Sequence, residues 1–262
     1  MKLFFFDIDG TLIECNKGLY EISKVNRESF DVLKEKGHDV FLATGRCKCF
    51  ITDGVMNYPF SGYVTCNGGY VEYKGEALYK TIVPTEAINK TIELAKKHNF
   101  NFYFESSDYI YVLDRNEPRH KEFAKNWGMK DKTIIDDFNP NEIETYIGMI
   151  VINSKDDIPL LVDTLSPYFD IQRHQTGLSF DLTLKGVSKA VGIQKLVEAL
   201  NRDMQDTIAF GDGRNDLEML EAVGVGVAMG NAVIEAKEVA DEVCKDVMED
   251  GITEWLKEHS YV

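Results

Sequence analysis

Apolar residues gather in short runs near the two ends of the chain and take on a different, aromatic-rich texture between them. Leu3, Phe4, Phe5 and Phe6 stand together without alternation, and mostly apolar runs recur at 40–43, 63–65, 207–210 and 225–228. A run with no polar face predicts a strand buried on both sides, as inside a parallel sheet covered by helices. Helical spacing is predicted over 23–36, with Phe30 and Leu33 on one face and Gly37 as a stop, and again over 188–200, up to 222, and over 232–239 and 253–259.

The middle third reads differently. A predicted helix at 85–98 leads into two aromatic strands at 101–105 and 109–113, separated by Ser106, Ser107 and Asp108. A helix at 119–127, a strand at 148–152, a helix at 155–165 and strands at 169–173 and 178–183 follow. Hairpins mixed with helices predict an α+β unit. The expected fold class is therefore α/β, with a parallel-sheet core from residues 1–81 and 185–262, split by an α+β insertion at 82–184. The aromatics Phe102, Tyr103, Phe104, Tyr109 and Tyr111 are expected to be a sheet face packed on helices.

With 29 Lys and Arg against 44 Asp and Glu, the net charge is −15, which disfavours nucleic acid or an anionic membrane as a partner. A phosphate ligand would need a local positive site. The five cysteines form no C-x-x-C pair and suit a reducing cytosol; Cys47 and Cys49 read as plain thiols ahead of a soft-metal pair. The apolar start is too short for a signal peptide and no later run reaches membrane-spanning length, so a cytoplasmic protein is expected.

The first strand runs into Asp7, Ile8, Asp9, Gly10 and Thr11. Side chains two apart on a strand share a side, so Asp7 and Asp9 converge if the extended geometry lasts that far. Crowded carboxylates at a buried strand end need a proton or a cation, and Mg²⁺ is the simplest hard ion; the alternative is a pair of turn and capping residues. A calcium loop is excluded, because its fifth, sixth and twelfth positions would be Thr11, Leu12 and Gly18. Thr44 follows the second core strand and Asp212 and Asp216 follow the strand at 207–210, so all lie at the sheet edge where ligands bind. Lys189, opening the helix after the insertion, is the cation placed to reach that edge.

These residues resemble the four motifs of the haloacid dehalogenase superfamily in order: Asp7-Ile8-Asp9-Gly10-Thr11, Thr44 in Ala43-Thr44-Gly45-Arg46, Lys189 in Gly186-Val187-Ser188-Lys189, and Gly211-Asp212-Gly213-Arg214-Asn215-Asp216. The insertion, Cys66-Asn67-Gly68-Gly69 and Met229-Gly230-Asn231-Ala232 resemble its Cof-type phosphatases with a C2 cap. The resemblance implies a Rossmann-like core, a mobile cap and Mg²⁺-dependent phosphoryl transfer from a small phosphorylated metabolite, a sugar phosphate foremost. It assigns Asp7 as nucleophile and Asp9 as general acid and base. Asp7, the Asp9 carbonyl and Asp212 would hold the metal, Thr44, Lys189 and Asn215 would bind phosphate, and Asp216 would support the metal from behind. For Asn215 and Asp216 helix capping is an equal alternative. Arg46, Asn67, Arg173, His174 and Asp181 are candidate substrate contacts. The same resemblance admits a phosphohexomutase or a sucrose-phosphate-type hydrolase. A phosphorylatable signalling module is the non-enzymatic alternative, disfavoured because the D-x-D ends the first strand and a long insertion follows.

Overall fold

A computed structural model describes residues 1–126, 129–174 and 177–262. Trp127, the predicted end of one helix, lies outside the described residues. The chain forms two compact units: Met1–Gly45, Ile51–Tyr79 and Ser188–Val262 make the first, Arg46–Phe50 and Lys80–Val187 the second.

The first unit carries strands β1 (Leu3–Phe6), β2 (Asp39–Ala43), β3 (Gly62–Thr65), β4 (Tyr70–Tyr73) and β5 (Glu76–Lys80), with helices α1 (Lys24–Glu35) and α2 (Asp53–Met56). The second has strands β6 (Asn101–Glu105), β7 (Ile110–Val112), β8 (Ile134–Ile135), β9 (Ile147–Val151), β10 (Phe169–Arg173) and β11 (Ser179–Leu184) with helices α3 (Thr85–His98), α4 (Pro118–Asn126) and α5 (Ile158–Leu165). The chain then returns through α6 (Lys189–Ala199), β12 (Thr207–Gly211), α7 (Leu217–Ala222), β13 (Val225–Ala228), α8 (Ile234–Val239), β14 (Glu242–Val243) and α9 (Gly251–Glu258).

In the first unit the sheet order is β14-β13-β12-β1-β2-β3-β4-β5, parallel from β14 to β3. β1 is central because all four of its residues are fully buried and its alternate side chains feed two cores. Phe4 and Phe6 pack with Phe30 of α1, Phe210 and Trp255 of α9, whereas Leu3 and Phe5 pack with Phe41, Ile193 and Leu196 of α6 and Met219 of α7. Helices on both faces thus explain the unalternated apolar run. Parallel pairing of β1 with β2 and β12 sends the ends of all three strands to one edge.

β4 and β5 are absent from the sequence prediction. β4 pairs antiparallel with β3, and the chain reverses between β4 and β5 at Lys74 and Gly75, whose φ angles are 50° and 86°. A lysine in place of the usual Asn or Asp disguises this hairpin turn, and the buried Glu72 breaks the expected apolar face.

The second unit is a six-stranded sheet, ordered β10-β11-β9-β6-β7-β8, with α3 and α5 over a core containing Phe102, Phe104, Ile150, Leu161 and Phe180. Phe102 and Phe104 of the aromatic hairpin are thus core residues. Tyr103 faces the other way, its ring 4.9 Å from that of Phe123. Arg46–Phe50 packs with this unit, although the sequence pattern places it among the core elements. Among the described residues no helix is long and apolar enough to cross a membrane.

Candidate active site

The site is built where β1 and β12 end. The Asp7 amide donates to Phe210 O at 3.0 Å, carrying the ladder one residue beyond β1. Extension then stops: Ile8 O accepts the amides of Thr11, Leu12 and Ile13 at 3.3, 2.9 and 3.0 Å. The expected same-side pair is corrected by this turn. Asp7 is 5% exposed, while Asp9 is exposed and pairs in an isolated bridge with Ile13. The negative charge of Asp9 nevertheless acts on both Asp7 and Asp212.

Lys189 is drawn in at the first turn of α6, where Ser188 caps the helix by accepting from the Val191 amide. Its ammonium is fully buried and donates to Asp7 Oδ1 and Asp216 Oδ1, each at 2.6 Å. Asp216 is also fully buried, and its Oδ2 accepts the amides of Asp212 and Gly213 at 3.0 and 2.9 Å. Asp216 therefore folds the loop after β12 back on itself and anchors the lysine as well. One carboxylate thus serves both, Oδ2 for the loop amides and Oδ1 for Lys189. Two glycines make room for this: a Cβ at Gly211 would lie 2.6 Å from the Asp216 carboxyl carbon, and one at Gly10 would lie 2.1 Å from Asp212 Oδ2.

Asp7, Asp212 and Asp216 each offer a carboxylate oxygen within 4.8 Å of the others. Set against one ammonium, three ionised carboxylates leave two negative charges over. Burial, reinforced by Asp216, Asp212 and Asp9, pushes Asp7 well above the usual carboxylate range, and Lys189 only partly opposes it. Burial and Asp216 likewise push Asp212 up to about 7, against the pull of Lys189. Burial alone would lower Lys189, but Asp216 and Asp7 outweigh it and raise the ammonium above its ordinary value. A site short of positive charge, lined by hard oxygen donors, fits a divalent cation such as Mg²⁺. Both oxygens of Asp216 are engaged by Lys189 and the loop amides, so Asp7 and Asp212 are the better placed side-chain ligands.

Thr44 follows β2 and is 1% exposed. Its amide donates to Val64 O at 2.9 Å and its carbonyl accepts from Asn67 at 3.1 Å. Cys66 and Asn67 are both buried in left-handed backbone, with φ of 55° and 51°, a conformation costly for residues with a side chain. Asn67 Oδ1 accepts from Asn215 Nδ2 at 3.2 Å, so it links the loop after β2 to the loop after β12. Arg46, by contrast, donates to Phe50 O at 3.3 Å and sits 5.5 Å from the Phe50 ring centroid.

Arg173, His174 and Asp181 belong to the second unit. Arg173 is exposed and its Nε donates to Gly177 O at 3.1 Å. His174 pairs with Asp181 at 2.9 Å, and burial, which alone would lower its pKa, is outweighed by Asp181 and Glu105. Glu105 has no place among the sequence candidates. It is buried at the end of β6, pushed up to about 7 by burial and Asp181 while the Cys47 thiol and amide and His174 hold it down. Cys47 Sγ lies 3.3 Å from Cys49 Sγ. A glutamate ending an aromatic strand carries no distinctive sequence signal. The same is true of Thr11, whose hydroxyl donates to Asp212 Oδ1 at 3.4 Å.

The sequence profile of the haloacid dehalogenase-like hydrolases matches residues 4–256. The chain is 35% identical over 257 residues to "Putative phosphatase YkrA" of Bacillus subtilis (strain 168), covering 98% of this chain and 97% of that one. It is 28% identical over 270 residues to 5-amino-6-(5-phospho-D-ribitylamino)uracil phosphatase YitU of the same organism, covering 98% and 97%. Among solved structures, the subclass IIB sugar phosphatase BT4131 superposes with a TM-score of 0.84 at 29% identity over 100% of both chains. A buried lysine shared by two carboxylates at the end of a parallel sheet, together with these matches, identifies the chain as a member of the haloacid dehalogenase-like hydrolases, a phosphatase of the Cof type.

Proposed function

We propose that this phosphatase is Mg²⁺-dependent, acts on small phosphorylated metabolites with sugar phosphates foremost, and works through an aspartyl phosphate on Asp7. The observation that carries the reading is that Asp7, Asp212 and Asp216 bring carboxylate oxygens within 4.8 Å of one another while the Lys189 ammonium bonds Asp7 and Asp216, three separated stretches of chain meeting at one place. The names of YitU, a 5-amino-6-(5-phospho-D-ribitylamino)uracil phosphatase, and BT4131, a sugar phosphatase, support the substrate class. The five free thiols support a reducing cytoplasm.

Asp7, the Asp9 carbonyl and Asp212 would hold Mg²⁺, which when bound offsets charge on the transferring group. The Asp7 carboxylate attacks phosphorus, the bond from phosphorus to the alcohol oxygen breaks, and Asp9 gives that oxygen its proton. A sugar alkoxide is a poor leaving group, so this proton matters. Water then attacks the phosphorus and passes a proton to Asp9, releasing phosphate and restoring the Asp7 carboxylate. An ammonium has three N–H donors, and those of Lys189 not given to Asp7 and Asp216 leave one for a phosphoryl oxygen. The Thr44 hydroxyl takes a second phosphoryl oxygen, and Asn215, held by Asn67, orients the group.

The test is a panel of phosphorylated metabolites assayed for free phosphate with and without Mg²⁺. Phosphate release that needs Mg²⁺ and favours sugar phosphates supports the reading, and transfer within the sugar without release would show a mutase instead. A changed substrate ranking in Arg173→Ala or His174→Ala would bring the inserted unit into recognition.

A further inference from the structure

Asn231 has no part in the chemistry just described, yet both ends of its side chain are committed. Its Nδ2 donates to Gly10 O at 2.7 Å and its Oδ1 accepts the Val247 amide at 2.9 Å. A carbonyl on one side and an N–H on the other leave only one way round for the amide. The neighbouring backbone is fixed as well: Val233 N donates to Asp212 O at 2.9 Å and Ala232 N to Met229 O at 2.9 Å. Asn231 thus grips the Asp9-Gly10-Thr11 turn from the segment that also holds the Asp212 loop.

That turn is already closed from within, by the amides of Thr11, Leu12 and Ile13 on Ile8 O, and Asn231 ties it to the rest of the unit. Asp9 is exposed, and Gly10, the next residue, at φ +81°, shapes the backbone that carries it. The Gly10 amide donates to Ile13 O at 2.7 Å, fixing one side of the residue, and Asn231 fixes the other. From this we infer that Asn231 is a positioning residue for Asp9, holding the proton donor at the leaving oxygen by way of the Gly10 carbonyl. The inference rests on the acid and base role proposed for Asp9.

Proton delivery matters for an alkyl phosphate and hardly at all for an aryl ester such as p-nitrophenyl phosphate, whose phenolate leaves unaided. Asp9→Asn, Asn231→Ala and Asn231→Asp are compared with the parent on both substrate types in saturating Mg²⁺, with melting temperatures taken alongside. Asn231→Asp keeps an acceptor for Val247 and loses the donor to Gly10, so it isolates the relevant bond and serves if Asn231→Ala folds poorly. Misplacement of a catalytic group can cost about 100-fold, so both Asn231 variants should lose at least about 10-fold more kcat/KM, which reports transfer to Asp7 and not breakdown of the shared intermediate, on the sugar phosphate than on the aryl ester. Melting temperatures should fall by only about 2–4 °C. Equal losses on both substrates, with Asp9→Asn showing the skew, would overturn the inference while leaving the role of Asp9 intact. No skew in Asp9→Asn would overturn both.

Discussion

Lys189 Nζ and Asp7 Oδ1 lie 2.6 Å apart although 182 residues separate them in sequence. The pair is buried, so neither charge can turn to water when the other is removed. Losing one partner of such a pair costs about 3–5 kcal/mol, because it leaves an uncompensated charge behind. Lys189→Met should therefore lower unfolding stability by roughly that amount in urea titrations. Phosphatase activity should fall with it. An unchanged midpoint would mean that the carboxylates are satisfied without the ammonium.

Asp7→Asn should preserve the fold, since shape and volume are kept and the Lys189 ammonium retains Asp216, and should lower kcat by about 1,000-fold or more because the nucleophile is lost. Circular dichroism and phosphate release on one preparation check both halves.

Asp212 makes metal-free stability depend on pH. Its carboxyl titrates near about 7 in the folded chain, against an ordinary value of 3.8. The folded state therefore binds this proton more tightly than the unfolded state, and raising the pH from about 5 to about 8 removes stability. The melting temperature without metal should fall over that range, and added Mg²⁺ should restore it most at the alkaline end. Asp212→Asn should flatten the profile and reduce the response to Mg²⁺.

Glu105 supplies the same test inside the second unit. Burial holds its carboxyl near about 7. Stability again drains away as pH rises through that value, so Glu105→Gln should unfold at a higher temperature than the parent above about pH 7 and show little gain near pH 5. Thermal scans across the range settle the sign.

Gly192 lies one turn along α6 from Lys189. A Cβ there would meet Val64 Cγ1 at 2.6 Å and Gly68 Cα at 2.7 Å. Gly192→Ala should cost about 1–3 kcal/mol through overpacking. By lifting the start of α6 it should also lower kcat, measurable as a loss larger than that of an alanine placed further along the helix.

Much of this was legible along the chain. β10 and β13 begin and end where the pattern predicts, and α3 spans the predicted 85–98, because local periodicity and stop signals agree there with burial. The hairpin of β4 and β5 was not legible, since its turn uses Lys74. Nor was the direction of Asp9, which depends on three amides converging on one carbonyl, that of Ile8.

By itself the sequence determined that acidic groups would end two buried strands and that a lysine would open the helix after the insertion, because strand burial and capping are written in neighbouring residues. Only the tertiary structure decided that Asp216 would be spent on Lys189 and the loop amides, that Asn67 would be bonded to Asn215, and that Asn231 would hold Gly10. Those choices join residues far apart in the chain, and they follow from which strand lies beside which, a relation that no local pattern of hydrophobic and polar positions records.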